Sequence, residues 1–315
     1  MAASPSVDKL FEVDRLTPGD IHRPLDFLQV PGGKGLNVAR AVSVLGESVL
    51  ATGLLAGHVG KWIQASLRDE GVAGRFAWAA GETRSSLSVA DRETGGLTEF
   101  YEAGSSITSE EWDQLETLVT DLLPQASWLS LSGSLPAGAP DTGYAALVAA
   151  AHAAGVPAAV DARGAPLARA LDASPELVKI NVAEAGELLG ESVEGVEQAL
   201  AAALEIRRQA GGEGRAAVVT MGAEGVVLVD PGGAAWRGRL HVHGHYPVGS
   251  GDAFLAGLLT GRSRGSSWRE SVSLALGAAT ANAQEHGAGR FDPWRAAILA
   301  AESDVQALDD QTVRE

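Results

Sequence analysis

The chain has 315 residues, 45% apolar and 20% charged, a balance that suits a globular α/β fold with a well-covered core. Its net charge of −16 argues against a nucleic-acid backbone or an anionic membrane as partner, yet allows an anionic small molecule in a locally cationic cleft. Cysteine is absent, which removes disulfides and thiolate metal sites, and with no signal-like N-terminus and no apolar run of about 18 residues a cytoplasmic protein is expected.

In chain order, "KLFEVDRL" and "RPLDFLQV" alternate around the turn signal "TPGD" and predict two strands. "GLNVARAVSVLG" predicts a helix closed by Gly46, and "SVLATGLLAG" a short buried strand. "SSLSVADRETGGLTEFY" predicts a hairpin turning at "DRETGG". "SEEWDQLETLVTDLL" predicts an amphipathic helix with Ser109 as cap and an acidic first turn. "ASWLSLSG" reads as a strand, "PDTGYAALVAAAHAAG" as a helix, and "VPAAVDA" and "LVKIN" as strands. "EGVEQALAAALEIRRQAGG" follows as a helix, "RAAVVTMG" and "GVVLVD" as strands, and "DAFLAGLLTGR" and "WRESVSLALGAATANAQE" as helices.

Short apolar strands alternating with helices predict an α/β fold in three layers, a mostly parallel central sheet between two helical layers. In such sheets ligands bind beyond the C-terminal strand ends, so residues just after strands are the informative ones. No linker divides the chain, and residues 1–315 are expected to form one domain. The strand-rich segments at about 8–30 and 82–103 interrupt the α/β rhythm and are expected to form a small β lid over the ligand edge.

Four stretches can carry chemistry. In "VGSGDAF", Gly249, Ser250 and Gly251 form a turn before a helix, and Asp252 follows at once. Free N–H groups at a helix start hold an anion, and a carboxylate there can take a proton from an alcohol; alone, the same residues also read as a capped turn. "PGGKGLNVAR" sets Lys34 among Gly32, Gly33 and Gly35, with Asn37 one turn into the helix, which suits a phosphate or a set of sugar hydroxyls. "VKINVAEAGELLG" puts Asn181 and Glu184 directly after a strand, either as a water-mediated Mg²⁺ pair or as a capping box. "VVTMGAEGVVLV" turns at Gly222 and Gly225, where a nucleotide could approach the backbone. His241, His243 and His245 alternate, a spacing able to bind metal but lacking a carboxylate partner. No strand is followed by a full G-x-G-x-x-G, which disfavours a nicotinamide dehydrogenase.

Taken together and in this order, these stretches resemble the ribokinase-like, phosphofructokinase-B family of carbohydrate kinases across nearly the whole chain. The two glycine motifs lie about 215 residues apart. "PGGKGLNVAR", "TR" at 83–84, "SGSLPAG" at 132–138 and "VGSGDAF" look most like 1-phosphofructokinase and tagatose-6-phosphate kinase. The resemblance implies a ribokinase-like fold and Asp252 as base, with Gly249, Ser250 and Gly251 as the anion hole. It implies sugar contacts at Asp8, Gly33 and Asn37, and phosphate contacts at Lys34, Arg84 and Ser134. It assigns Lys179, Asn181 and Glu184 to the nucleotide phosphates and Mg²⁺, the metal being held through water by Asn181 and Glu184. Thr220, Gly222 and Gly225 fall in its nucleotide turn, and Asn282 where the adenine pocket closes. Relatives carry several apolar residues before the match to "SPSVD", where this chain has three.

The implied reaction is ATP-dependent phosphorylation of a sugar phosphate, first of all fructose 1-phosphate to fructose 1,6-bisphosphate. Tagatose 6-phosphate and fructose 6-phosphate are the alternatives within the class, and a non-catalytic sugar-phosphate sensor the alternative outside it. ATP and Mg²⁺ are the implied cofactors, and a homodimer through the lid is the implied assembly.

Overall fold

The computed structural model describes residues 1–242 and 244–308. The chain opens with β1 (Ser6–Val13), β2 (Asp26–Gly32), α1 (Lys34–Val44), β3 (Leu50–Ala51), β4 (Leu54–Ala56) and α2 (Gly57–Asp69). It continues through β5 (Ala73–Gly74), β6 (Ala77–Ala79), β7 (Arg84–Asp91), β8 (Leu97–Tyr101), α3 (Ser109–Leu122) and β9 (Leu129–Ser132). Next come α4 (Gly143–Ala153), β10 (Ala158–Asp161), α5 (Gly164–Asp172), β11 (Leu177–Asn181), α6 (Val182–Leu189) and α7 (Gly195–Gln209). The last part is β12 (Ala216–Thr220), β13 (Val226–Val229), β14 (Ala235–Arg239), α8 (Ser250–Ser263), α9 (Trp268–Ala283), α10 (Pro293–Glu302) and β15 (Asp304–Ala307).

The main sheet runs in the order β15-β14-β13-β12-β11-β10-β9. Strands β9 to β12 are parallel, and β13, β14 and β15 add on antiparallel. Beyond β9, Met1–Ala3 take a strand's place. The Met1 amine donates to Ser130 O at 2.6 Å, Ser132 N donates to Met1 O, and Ala2 bridges Gly53 in parallel. The pairs β3–β5 and β4–β6 extend the parallel register on that side.

Strands covered on both faces need apolar residues at successive positions. In β12, Ala217 and Val219 join the core under α3, α4, α5 and α7, while Ala216 and Val218 join the core under α1, α8, α9 and α10. Each fully buried Val or Leu contributes about 1.5–3 kcal/mol. Helices α8 and α9 approach closely because Gly257 and Gly261 face the contact. A Cβ on Gly257 would stand 2.7 Å from Ala275 Cα, and one on Gly261 2.7 Å from Ser271 Oγ.

A separate four-stranded sheet has the order β2-β1-β7-β8, with β1 and β7 parallel and the two outer pairs antiparallel. Its strands fall within or beside segments 8–30 and 82–103. The register puts Asp8, Val30, Ser86 and Tyr101 in one row across it, and Phe11, Phe27, Val89 and Thr98 in a row on the opposite face.

Some local expectations are corrected. The cap of α3 is Thr108, not Ser109: Thr108 Oγ1 accepts from Glu111 N, and the Glu111 carboxylate accepts from Thr108 N. Helices α2, α5 and α10 and strands β5, β6, β14 and β15 are additions to the expected elements.

Candidate active site

The C-terminal ends of β9 to β12, the start of α1, the first turn of α8 and the small sheet enclose a cleft of about 840 Å³. Nearly all of the sequence candidates line it. Gly249 caps α8 with φ 78, in the left-handed region that suits glycine, and a Cβ there would strike Ala288. Ser250 N donates to Pro247 O, and the first turn leaves the N–H groups of Gly251 and Asp252 without helical acceptors.

Asp252 is 6% exposed. Its Oδ2 accepts from Asn37 Nδ2 at 2.9 Å, and Asn37 Oδ1 is buried without a partner. Burial first, and the negative charge of Asp161 second, push the Asp252 carboxyl up to about 7, against the pull of Lys179, Asn37 and Lys34.

Beneath Asp252 lies an ion-pair cluster. Lys34, the first residue of α1, donates to Asp161 Oδ1 at 2.8 Å and to Glu184 Oε1 at 2.9 Å. Lys179, buried in the middle of β11, donates to Asp161 Oδ2 at 2.7 Å. A Cβ on Gly251 would sit 3.0 Å from Lys179 Nζ, so any larger residue there would press on the ammonium. Burial works against the Lys34 charge, but Asp161 and Glu184 outweigh it and hold the ammonium above the usual lysine range. Asp161, although buried, is held below the usual carboxylate range by Lys179 and Lys34. Two cations balance two carboxylates here, and Asp252 is the third carboxylate. Its ionisation adds an uncompensated charge, which agrees with its raised pKa.

Asn181 and Glu184 form the capping box of α6: Asn181 Oδ1 accepts from Glu184 N at 2.8 Å, and Glu184 Oε2 accepts from Asn181 N at 3.0 Å. Both line the cleft. With Glu184 already bonded to a backbone N–H and to Lys34, the pair fits a metal held through water and ligand phosphates rather than one gripped directly. Among the described residues no group of three or more His, Cys, Asp or Glu side chains is placed to hold a metal. Of the three histidines, His241 and His245 are exposed and His243 lies outside the described residues.

On the small-sheet side, Asp8 accepts from Ser6 Oγ at 2.6 Å, and burial raises its carboxyl above the usual range against the pull of Ser6, Arg84 and the Gly33 N–H. Gly33, with φ 90, turns the chain into α1 where a Cβ would press on Ser4 and Pro5. Arg84 donates from Nη2 to Ser4 O, while its Nε is buried without a partner. Arg84, Ser134 and Tyr101 line this end of the cleft.

Thr220, Gly222 and Gly225 line the other end, beside Leu240, Val242, Val248, Leu276 and Ala279. Asn282 does not open into the cleft. It is fully buried, donates to Val248 O at 2.9 Å and accepts from Gly289 N at 2.8 Å, so it braces the Gly249 turn from behind. Sequence reading missed Asp161, Tyr101 and Arg163, all at this site. Asp161 and Arg163 follow the rule that strand ends carry the site, since they end and follow β10. A second cavity of about 880 Å³, between the small sheet and residues 285–291, encloses the Arg40–Glu70 pair and none of the candidate residues.

A sequence model of the pfkB family carbohydrate kinases matches residues 1–295. The chain belongs to this family. This pfkB-family kinase is therefore a phosphotransferase acting on a sugar hydroxyl, on a ribokinase-like α/β fold. Its structure is similar to that of phosphofructokinase-2 from Escherichia coli in complex with substrates and products, at 28% identity and TM-score 0.87, covering 95% of this chain and 97% of that one. The fold is also that of a possible 1-phosphofructokinase from Thermotoga maritima, at 21% identity and TM-score 0.87, covering 98% of each chain. Arabidopsis thaliana ribokinase, complexed with ribose and ATP, is similar at 21% identity and TM-score 0.74 over 95% of this chain and 96% of that one.

Proposed function

We propose that this kinase transfers the γ-phosphoryl group of ATP to a hydroxyl of a ketose phosphate, with fructose 1-phosphate as the first substrate to test and fructose 1,6-bisphosphate as its product. The observation that carries the reading is Asp252, a buried carboxylate pushed up to about 7, set in the open first turn of α8. It takes the proton from the attacking hydroxyl as the new P–O bond forms, and the bond to the ADP oxygen breaks. Asn37 orients the carboxylate, and its unpartnered Oδ1 accepts a hydrogen bond from the sugar. The N–H groups of Gly251 and Asp252 receive the charge on the phosphoryl oxygens.

Arg84, with an unpartnered Nε beside Asp8, is the cation for the phosphate already on the sugar, with Ser134 and the sugar contacts of Asp8 around it. Lys34 is tied to the nucleotide side by Glu184, so we assign it to the phosphoryl group in transfer rather than to the substrate's own phosphate. Thr220, Gly222 and Gly225 receive the nucleotide, with Leu240, Val242 and Leu276 against the base. Mg²⁺, carried in on the nucleotide, would be held through water by Asn181 and Glu184 and would screen the phosphate charge.

We take residues 1–315 as one domain whose small sheet closes as a lid and excludes water. The lid's outer face, with Phe27 52% and Phe100 58% exposed, is the surface we assign to a homodimer. E. coli phosphofructokinase-2 has a tetrameric inhibited form.

Fructose 6-phosphate is the second reading, supported by the 27% identity to E. coli phosphofructokinase-2 in complex with fructose-6-phosphate. The test is ADP release from Mg-ATP with fructose 1-phosphate, fructose 6-phosphate, tagatose 6-phosphate, fructose and ribose. A ketose phosphate should give the highest kcat/KM. Equal turnover of an unphosphorylated sugar would overturn the phosphate requirement. Arg84→Ala should raise KM for the sugar phosphate by about 10- to 100-fold and leave KM for ATP near its native value.

A further inference from the structure

Asp161 ends β10 with no exposed surface, yet it carries a charge. Burying a carboxylate is costly unless every part of it is paired. Here each oxygen has its own lysine: Oδ1 takes Lys34 from α1, and Oδ2 takes Lys179 from β11. The two ammonium groups differ in surroundings. The Lys34 side chain is 33% exposed and opens to the cleft, whereas Lys179 is 4% exposed and packs beneath the α8 turn. Lys34 spends two of its three N–H donors on Asp161 and Glu184, which leaves one for the cleft. One buried anion therefore fixes two cations whose charges both act on Asp252.

Resting on the kinase reading above, we infer that Asp161 is a positioning residue that holds Lys34 and Lys179 as one preset cationic clamp for the phosphoryl group in flight. A free lysine side chain samples many rotamers. Anchoring both ammonium groups before substrate arrives removes that ordering from the reaction step, which is how preset charge lowers a barrier. The clamp stabilises charge that moves during transfer, so its loss falls on kcat more than on KM.

Asp161 also acts on the base. The charged groups around Asp252 are Asp161 on β10, Lys179 on β11 and Lys34 on α1, with the Asn37 amide in direct contact. Removing the Asp161 charge lets Asp252 lose its proton at lower pH. The acid limb of kcat/KM, on which the base must be deprotonated, moves down with it.

The experiment compares native protein, Asp161→Asn and Asp161→Glu by steady-state kinetics across pH, with folding checked by circular dichroism. Asp161→Asn should lose about 100-fold in kcat, keep KM for the sugar phosphate within about threefold, and shift the acid limb down by about one unit. Asp161→Glu keeps the charge but displaces the ammonium groups, so the limb should stay in place while kcat falls about 10-fold. A folded Asp161→Asn with native kcat and an unmoved limb overturns the inference. If Asp161→Asn does not fold, Asp161→Glu decides, and native kcat in that variant overturns it. Native protein that turns over no ketose phosphate overturns the substrate reading alone, and the variants are then compared on the sugar of the panel that is phosphorylated, whereas native turnover with indifferent variants overturns the role of Asp161.

Discussion

Asp252 ties activity and stability together in opposite senses. As the proposed base it must be ionised, so kcat/KM should rise with pH through about 7. Asp252→Asn should lower kcat by several orders of magnitude with a modest change in KM; a near-native kcat would remove it from the base role. For stability, the folded protein holds this proton to a higher pH than the unfolded chain does. Folded stability therefore falls as pH rises from 3.8 to about 7, by at most roughly 4 kcal/mol. Asp252→Asn should thus melt above native protein at pH 8, with the gap closing near pH 4 in thermal melts. A gap independent of pH would show that the buried carboxylate is not the cause. The signal for Asp252 was legible only jointly, because its glycine turn alone also reads as a capped turn and the Lys34 glycine motif about 215 residues away gave it a second anchor. Asp161 was not, since "AAVD" reads as an ordinary buried strand, and only the fold brings lysines 127 and 18 positions away onto its two oxygens.

At the scale of elements, α3 tests which residue caps the helix. Thr108 has Glu111 three places on and forms the reciprocal box, whereas Ser109 has Trp112 at that spacing. Thr108→Ala should cost about 1 kcal/mol in denaturant unfolding, and Ser109→Ala much less. Equal losses would contradict the observed cap. The capping residue was thus written in the sequence as T-x-x-E, one position before the serine that reading preferred. The buried strands and the helices between them were also legible, through short apolar runs bounded by glycine. The parallel pairing of β1 with β7 was not, because it joins segments far apart in the chain and no local pattern encodes it. The bracing role of Asn282 was not legible for a similar reason: its partners, Val248 and Gly289, come from two different loops.

For the whole molecule, the small sheet has two unlike faces. Asp8, Ser86 and Tyr101 look into the cleft, while Phe11 and Phe27, with ring centroids 5.4 Å apart, and Phe100 look outward. Leu25 and Ile21 add to the outward apolar surface at 53% and 87% exposure. We propose that this apolar area of the small sheet is covered by a second copy of itself, in an isologous contact. Sedimentation should show a dimer for native protein and a monomer for the Phe27→Asp/Phe100→Asp variant. A native monomer at micromolar concentration would overturn the assembly. With the lid in the contact, dissociation should also weaken sugar binding, which dilution in the kinetic assay would reveal.

The bracing of the Gly249 turn by Asn282 has a thermodynamic consequence. Val248, Ser250 and Gly289 all meet that one amide, and Ala288 packs against Gly249 itself. The loop's conformational entropy is therefore surrendered when the chain folds, not when the nucleotide arrives. Calorimetry of nucleotide association should accordingly carry little of the heat-capacity signature of coupled folding, and the Ser250 amide, which donates to Pro247 O, should already be protected from hydrogen exchange in the ligand-free protein.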